Sequence, residues 1–423
     1  MFETVRLLVE ANPLLLGFAV LVLDVPRYTL SLASLALAGV GRAFRRAPAP
    51  VRAVSVSAIV PTFNGGDGLI PTIVSLRRQT LPPVEIIVVD DGSTDVTRAV
   101  ANRARADGLV DMVICHGTRC GRSAAINAAA RFARGDLLLT VDADTVFEAT
   151  AVARLAAAFD DPRVAGASCN IGISNERASL WTRLQRVEYL MSIGAGRAVL
   201  DIFGALACLS GACAMYRRDV FLRQGGLDVG PGEDLEITLR LRRLGYVVRF
   251  VADATAETQG VVSGVGLLRQ RARWDRDALR VRFMMYGEFR LFHPREYLQD
   301  TLQRLDFIIF DLVPTISLPF YLVFLFVHLG PAALPFLMAV YVVLLWIGVV
   351  NMALSFALFD RSPSFASFLM APIYPFYQGL YLKGARFFSY SAEILFAASC
   401  YDDFVPPRVR RALFAGVIRS AGA

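Results

Sequence analysis

The chain has 423 residues, 55% of them hydrophobic and only 19% charged, and its mean hydropathy is positive. That composition excludes a disordered protein and argues against a purely soluble globule, while the length suggests two or three structural units. The formal net charge of +7 is nearly all arginine, because Lys383 is the single lysine. Such fixed planar cations suit phosphate or lipid headgroups, and no basic run interleaved with aromatics points to nucleic acid. The cysteines Cys115, Cys120, Cys169, Cys208, Cys213 and Cys400 form no CxxC pair and no zinc spacing with histidine, so free thiols in a reducing compartment are expected.

Residues 1–46 are expected to supply one membrane helix. Positions 11–41 are mostly apolar, with Asp24 and Arg27 the only charges, and reach the roughly 20 residues a span needs if the helix continues, kinked, through Pro26. The basic charge follows the apolar run and no small-residue cleavage site is evident, which argues against a signal peptide. Arg42, Arg45, Arg46 and Arg52 come next and place the following segment in the cytoplasm, with the N-terminus outside.

Residues 47–268 change character. Strand-like runs at Val54–Val60, Glu85–Val89, Asp111–Cys115 and Leu137–Val141 alternate with helical stretches around Ile70–Arg78, Val96–Ala106 and Ala124–Ala133. This alternation predicts a mostly parallel sheet with ligands at the carboxyl ends of its strands. The unusual residues sit at those ends. Pro61-Thr62-Phe63-Asn64 follows the first strand, and Asp90-Asp91-Gly92-Ser93-Thr94 the second, with Ser93 or Thr94 expected to cap the next helix. Asp142-Ala143-Asp144 follows the fourth. Carboxylates at i and i+2 on extended backbone project to one side; their repulsion calls for a hard cation such as Mg²⁺ or Mn²⁺, which would neutralise a diphosphate leaving group.

Gly232-Glu233-Asp234-Leu235-Glu236 opens a helix expected to reach about Leu244. Its acidic start matches the helix dipole and also offers a general base for an acceptor hydroxyl. In Gln270-Arg271-Ala272-Arg273-Trp274, the residues Gln270, Arg273 and Trp274 fall at i, i+3 and i+4 of a helix, on one face. That face presents an amide, a cation for a phosphate and an aromatic plate on which a sugar can stack. Residues 269–300 read as interfacial helices, with Ala278, Val281, Met285 and Phe289 toward a membrane and Arg276 and Arg280 away from it.

Residues 301–423 return to apolar composition. Phe307–Leu329, Ala332–Leu358 and Phe365–Leu382 are predicted spans, broken at Gly330-Pro331 and at Asp360-Arg361-Ser362-Pro363. Three spans would put the C-terminus outside, whereas Arg408, Arg410, Arg411 and Arg419 favour the inside. Ala385–Ser399 returning through or along the membrane, or a re-entrant last apolar run, would reconcile the two.

In their order, Val60-Pro61-Thr62-Phe63-Asn64, Val89-to-Asp95, Gly121-to-Asn127, Asp142-Ala143-Asp144, Gly232-Glu233-Asp234 and the Gln270-to-Trp274 pentad resemble the membrane-embedded family 2 glycosyltransferases, a group that includes cellulose, chitin and hyaluronan synthases. The resemblance runs from about Val54 to Arg280, together with the flanking helices. It implies an α/β GT-A (Rossmann-like) cytoplasmic domain with an α-helical transmembrane region, multi-pass in the plasma (inner) membrane. It also implies inverting transfer from a UDP-sugar to a growing β-linked polysaccharide and its translocation, in contact with membrane lipid, with room for accessory export subunits and no nucleic acid. By the family's motifs, Pro61, Thr62 and Asp91 hold the uridine side of the donor, and Arg122 contacts the donor. Asp142 and Asp144 form the metal-diphosphate site, Asp144 being the direct ligand. Asp234 is the base; Gln270 and Arg273 meet the donor diphosphate, and Trp274 the terminal acceptor sugar. The chain departs from the family at Arg122, where lysine is common, at Gly232, where serine or threonine often stands, and at Asp277, where glycine often follows.

Two other readings compete: a non-processive transferase acting on a lipid-linked acceptor, and a transporter or scaffold with a degenerate nucleotide domain. The pentad favours a synthase over the first. Asp311 inside an expected span suits the second, but the three acidic motifs are intact. His116, His293 and His328 lack metal-like spacing and read as structural.

Overall fold

The structure, a computed structural model, describes residues 33–34, 36–37, 54–228, 230–286, 298–359, 365–402, 405–407 and 409–411. The expected N-terminal span lies outside them apart from its four described positions, as do Phe289 and the Asp360-to-Pro363 break.

An eight-stranded sheet carries the first part of the chain. Its strands are β1 (Val56–Thr62), β2 (Glu85–Asp90), β3 (Met112–Cys115), β4 (Leu137–Val141), β5 (Val146–Phe147), β6 (Val164–Ile173), β7 (Cys213–Arg217) and β8 (Val247–Thr258), in the spatial order β3-β2-β1-β4-β7-β6-β8-β5. The four expected strands are present within two residues of their expected ends, and they form the parallel half. β7 enters antiparallel between β4 and β6, so the sheet is mixed.

Helices cover both faces, which is why the central strands read as unbroken apolar runs instead of alternating with polar residues. Ala58, Val60, Ile86, Val88, Leu137 and Leu139 pack on one side with the helices Leu69–Arg77 and Thr97–Ala106. Ile59, Ile87, Val89 and Leu138 pack on the other with Ala125, Ile126 and Ala129 of the helix Arg122–Ala130. Each fully buried Ile or Leu contributes about 1.5–3 kcal/mol relative to exposure. Register then aligns the motif loops. Thr62 lies opposite Asp90, and Ile59 opposite Thr140, so the loops after β1, β2 and β4 leave the same edge.

The expected cap at Ser93 or Thr94 is not formed. The helix begins at Thr97, whose N–H donates to Asp95 Oδ1 (3.0 Å). The Ser93 hydroxyl instead accepts from Asn64 N (2.9 Å), and Thr94 N donates to Asn64 Oδ1 (2.9 Å). Asn64 has φ of 52°, a left-handed conformation that asparagine tolerates, and it clasps the first two loops together.

Downstream, a continuous helical stretch, Thr301–Phe359, is long and apolar enough to cross a membrane, and among the described residues it is the only one. It contains a bend, because Gly330 has φ of 52° between the helices Val313–Leu329 and Ala333–Phe359. Leu318, Tyr321 and Leu325 pack on Ala333 and Phe336 across that bend, while Phe320, Val327 and Trp346 are exposed. The third expected span, Phe365–Leu382, is not one uninterrupted helix. Short turns at Phe365–Phe368 and Tyr374–Phe376 precede a π-helical segment, Tyr377–Leu382, and the helix Lys383–Phe396. Lys383 and Glu393 are buried in that last helix.

Asp311 does not stand alone on a transport path. Arg386 donates to Asp311 Oδ1 (2.6 Å) and to Asp275 Oδ1 (3.1 Å), tying the apolar helices to the helix Gly264–Leu279. Nor does Val281 lie on lipid, although Met285 of the same expected face is exposed. Val281 is fully buried against Leu235 and Leu239, with Ala278 packed beside it, and Arg280 is buried as well. Hydrophobic periodicity marks an apolar stripe without naming its partner; here the partner is the helix Glu233–Arg243.

Candidate active site

The first loop contributes a buried hydroxyl. Thr62 closes β1, and its Oγ1 has no hydrogen-bond partner among the described residues. A Cβ at Gly65 would stand 2.5 Å from that oxygen, so glycine lets the backbone pass over it. A buried hydroxyl left without a partner is costly, which makes it a natural contact for a ligand. Pro61 precedes it and is buried.

Asp91 is buried in a cradle of backbone amides. Its Oδ1 accepts from Cys120 N (2.8 Å) and lies 2.8 Å from His116 Nδ1, and its Oδ2 accepts from Gly121 N (2.8 Å). Successive N–H groups at a helix start form an anion-binding concavity. Gly121 can open it because φ there is 98°. Asp91, His116 and Cys120 place their ligand atoms within 4.8 Å of one another, so the densest cluster of metal-type donors among the described residues lies here and not at the Asp142-Ala143-Asp144 turn. His116, read as structural from sequence, joins the site through Asp91.

Asp142 and Asp144 occupy the turn after β4. Asp142 Oδ1 accepts from Arg122 Nε (3.0 Å), and Asp144 Oδ1 accepts from the Thr258 hydroxyl (3.1 Å). The Asp144 side chain keeps a solvent-facing side, yet the protein around it and the charge of Asp142 push its carboxyl above the usual value. A cation between the two would relieve that strain. Two hard carboxylates, with phosphate oxygens and water completing the shell, suit the habits of Mg²⁺ and Mn²⁺, so the residues fit the expected metal.

Arg122 joins the two acidic motifs. Besides Asp142 it donates from Nη1 to Glu233 Oε1 (2.8 Å) and from Nη2 to the Gly211 carbonyl. Burial pushes the Glu233 carboxyl up, and the Asp234 charge adds to this against the attraction of Arg122. Asp234 Oδ1 accepts from Leu235 N (2.8 Å). The guanidinium is thus shared among protein acceptors, with Asp142 and Glu233 the carboxylates it pairs with and Asp234 a neighbour outside those bonds.

The pentad helix, Gly264–Leu279, approaches this centre at Asp277. Gly232 adopts φ of 81°, and a Cβ there would stand 3.2 Å from Asp277 Cβ and 3.2 Å from Val281 Cγ2. The two sequence departures therefore meet: Asp277 fills the space that a side chain at position 232 would need. Burial, reinforced by Glu233 and opposed by Arg280 and Arg273, pushes the Asp277 carboxyl up to about 8. Burial first, then Arg276 and Arg119, lower the Arg273 guanidinium from its usual value, with Asp277 and Asp402 opposing. Arg273 thus stands between two arginines and two carboxylates. Gln270 is half-buried, and Trp274 is 42% exposed.

Asp402, Pro406, Thr258 and Arg271 were not singled out from sequence. Arg276 pairs with Asp402 (2.7 Å), and Pro406 lies 3.6 Å from where a Gly121 Cβ would stand, so the C-terminal segment borders the site. Thr258 holds Asp144 from the end of β8. Arg271 stacks under Trp274, its Cζ 4.3 Å from the ring centroid. Only Arg271 had a sequence signal, its i, i+3 spacing to Trp274; the others act across long separations.

This mixed sheet, with acidic loops gathered at one edge, defines a GT-A-like glycosyltransferase fold. The structure of mannosyltransferase PcManGT from Pyrobaculum calidifontis, in complex with GDP-Man and Mn²⁺, superposes with a TM-score of 0.60 at 20% identity, covering 82% of this chain and 100% of that one. Residues 57–224 match the model of glycosyl transferase family 2. An N-acetylglucosaminyltransferase of Azorhizobium caulinodans is 34% identical over 241 residues, 53% of this chain and 60% of the relative. A hyaluronan synthase of Streptococcus pyogenes is 29% identical over 240 residues, 53% and 57% respectively. The chain thus spans less than two thirds of the length of these curated relatives.

Proposed function

We propose that the protein is an inverting, divalent-metal-dependent hexosyltransferase that elongates a β-linked polysaccharide from a UDP-sugar at a membrane. The observation that carries this reading is the Arg122 bridge, which draws Asp142 and Glu233 onto one cation beside Asp234. An arrangement with Asp142 and the acidic pair Glu233-Asp234 around one cation supports a single centre for metal, diphosphate and base, as displacement at an anomeric carbon requires.

In this reading Thr62 and Asp91 take the uridine, the free hydroxyl of Thr62 supplying a polar contact. Asp142 and Asp144 would hold Mg²⁺ or Mn²⁺, which supplies charge neutralisation for the departing diphosphate. Arg273 and the Gln270 amide meet the diphosphate, and Arg122 keeps the acidic loops in register. Asp234 accepts the proton of the acceptor hydroxyl as that oxygen forms its bond to the sugar, while Glu233 stays neutralised by Arg122. Trp274 offers its exposed face to the terminal acceptor sugar.

The exposed apolar residues of Thr301–Phe359 and the bend at Gly330 support membrane association, with two passes in that stretch. The names of the relatives favour N-acetylglucosamine as the first donor to try and a polysaccharide as product. The test is UDP release by the purified full chain from UDP-N-acetylglucosamine, UDP-glucose and UDP-glucuronic acid, with Mg²⁺ or Mn²⁺, followed by sizing of the product. Polymer made from UDP-N-acetylglucosamine or UDP-glucose supports the reading. Single additions to a lipid acceptor would replace the processive part, and no release from any donor would remove the enzyme reading.

A further inference from the structure

Arg271 is the most completely engaged side chain of the pentad helix, yet it does not belong to the recognition triplet of Gln270, Arg273 and Trp274. It is buried, and its Nε and Nη2 donate to Glu188 Oε1 (3.1 Å) and Oε2 (2.9 Å) in a two-pronged pair. Its Nη1 donates to Gln270 Oε1 (2.8 Å). The flat side of the same guanidinium covers the Trp274 ring at 4.3 Å. The Tyr377 hydroxyl completes the arrangement by donating to Glu188 Oε2 (2.7 Å).

These contacts have directional consequences. A carboxylate gripped at both oxygens fixes the plane of the guanidinium as well as its position. With that plane fixed, the third nitrogen sets the Gln270 amide, turning its oxygen inward and leaving its NH2 as the donor for a ligand. The π-face of the guanidinium occupies one side of the indole, an arrangement favoured by cation–π attraction. A sugar can then stack only on the opposite side. Glu188 lies in the last turn of the helix Leu180–Tyr189, before the π-helical segment Leu190–Gly196, and Tyr377 begins another, Tyr377–Leu382. Such segments often mark functional positions in helices. The clamp therefore joins the catalytic domain, the pentad helix and the C-terminal helical region at one carboxylate.

We propose that Arg271, held by Glu188 and Tyr377, is a positioning residue that orients Gln270 and selects the face of Trp274 on which the acceptor sugar stacks. This rests on the reading of the protein as a polysaccharide-elongating transferase. The guanidinium reaches Gln270 and Trp274 only in the orientation set by Glu188. An ammonium at the same place can neutralise Glu188 but cannot span all three.

The test uses the full-length protein with UDP-N-acetylglucosamine as donor and chitotetraose as acceptor. For Arg271→Lys, KM for chitotetraose is expected to rise at least about 10-fold, since misplacement by about 1 Å can cost about 10²-fold. Binding of UDP, which Gln270 meets in this reading, should weaken by clearly less than the chitotetraose KM rises, because the opened indole face concerns the acceptor alone. In a Trp181→Phe/Trp346→Phe background, acrylamide should quench Trp274 more strongly after Arg271→Lys, because the covered face opens. Tyr377→Phe, which removes only one hydroxyl, should raise the chitotetraose KM about 2–3-fold with UDP binding unchanged. Normal chitotetraose kinetics in Arg271→Lys, or UDP binding lost in step with elongation, would overturn the proposal. If Arg271→Lys does not fold, Tyr377→Phe and Glu188→Gln decide, and normal chitotetraose KM in both overturns it. A wild-type protein with no activity on any UDP-sugar would instead remove the parent reading, and this one with it.

Discussion

The nucleotide half of the site and the pentad half are built by different means. Around Asp91 the fold acts through backbone, with one ion pair from Arg122 added at Asp142: strand ends in register, amides of Cys120 and Gly121 on a carboxylate, and glycines at φ of 77° and 98° in the turns. Around Gln270 and Trp274 it acts through side-chain ion pairs that bridge distant segments: Arg271 with Glu188, Arg276 with Asp402, Arg386 with Asp275 and Asp311. Backbone cradles are rigid and local. Ion pairs depend on charge, on the desolvation of both partners and on the packing of whole helices, so breaking one leaves a buried charge uncompensated. The first half should tolerate changes in its surroundings and fail only when its own residues change; the second should fail by displacement.

The comparison breaks most readily at the base. Asp234→Asn should lower elongation by about 10²-fold or more, because an amide cannot take the acceptor's proton, with calorimetric UDP binding intact. A normally active variant would move the base to Glu233. Asp144→Ala should be comparably inactive and still fold, since its side chain faces solvent and its bond from Thr258 lies at the end of β8. Turnover assayed at saturating Mn²⁺ checks this. EDTA should abolish wild-type activity, and added Mg²⁺ or Mn²⁺ should restore it.

Trp274→Ala sharpens the contrast, because it removes the plate while leaving the nucleotide half alone. Products should shorten to a few sugars on a sizing gel with UDP affinity within about twofold, the stacking of one sugar being worth less than a displaced base. Long polymer at the wild-type rate would remove the ground for calling the enzyme processive.

The smallest effect concerns Asp277, where the two halves touch. In the folded protein it holds its proton up to about pH 8, whereas an unfolded aspartate releases it near about 4. Between those values the folded state binds the extra proton. The stability contributed is therefore full below about pH 4 and is lost as pH rises to about 8. Asparagine does not titrate, so Asp277→Asn should narrow the difference in Tm between pH 5.5 and 8.5 by about 2 °C or more. An unchanged difference would show that Asp277 is ionised throughout.

Legibility follows the same division. The parallel strands, the acidic loops at their ends and the helix opened by Glu233 could be read from sequence because each is a local pattern: apolar runs of strand length, turn residues and an acidic first turn. The interfacial placement of Ala278 and Val281 could not. A stripe of apolar residues looks alike whether lipid or the helix Glu233–Arg243 covers it. The expected cap at Ser93 failed for a related reason, because Asn64, 29 residues earlier, competes for that hydroxyl.

What the amino-acid order determined unaided is the kind of chemistry and the fold that carries it: carboxylates at strand ends, an amide, a cation and an indole on one helix face, and the family these resemble. Tertiary structure alone decided which groups share a proton, a charge or a surface. Arg122 reaches Glu233 across 111 residues, Arg271 reaches Glu188 across 83, and Gly232 yields its side-chain space to Asp277. Side-chain periodicity carries direction only within an element. Partners on different elements are chosen by how those elements pack, which no local pattern encodes.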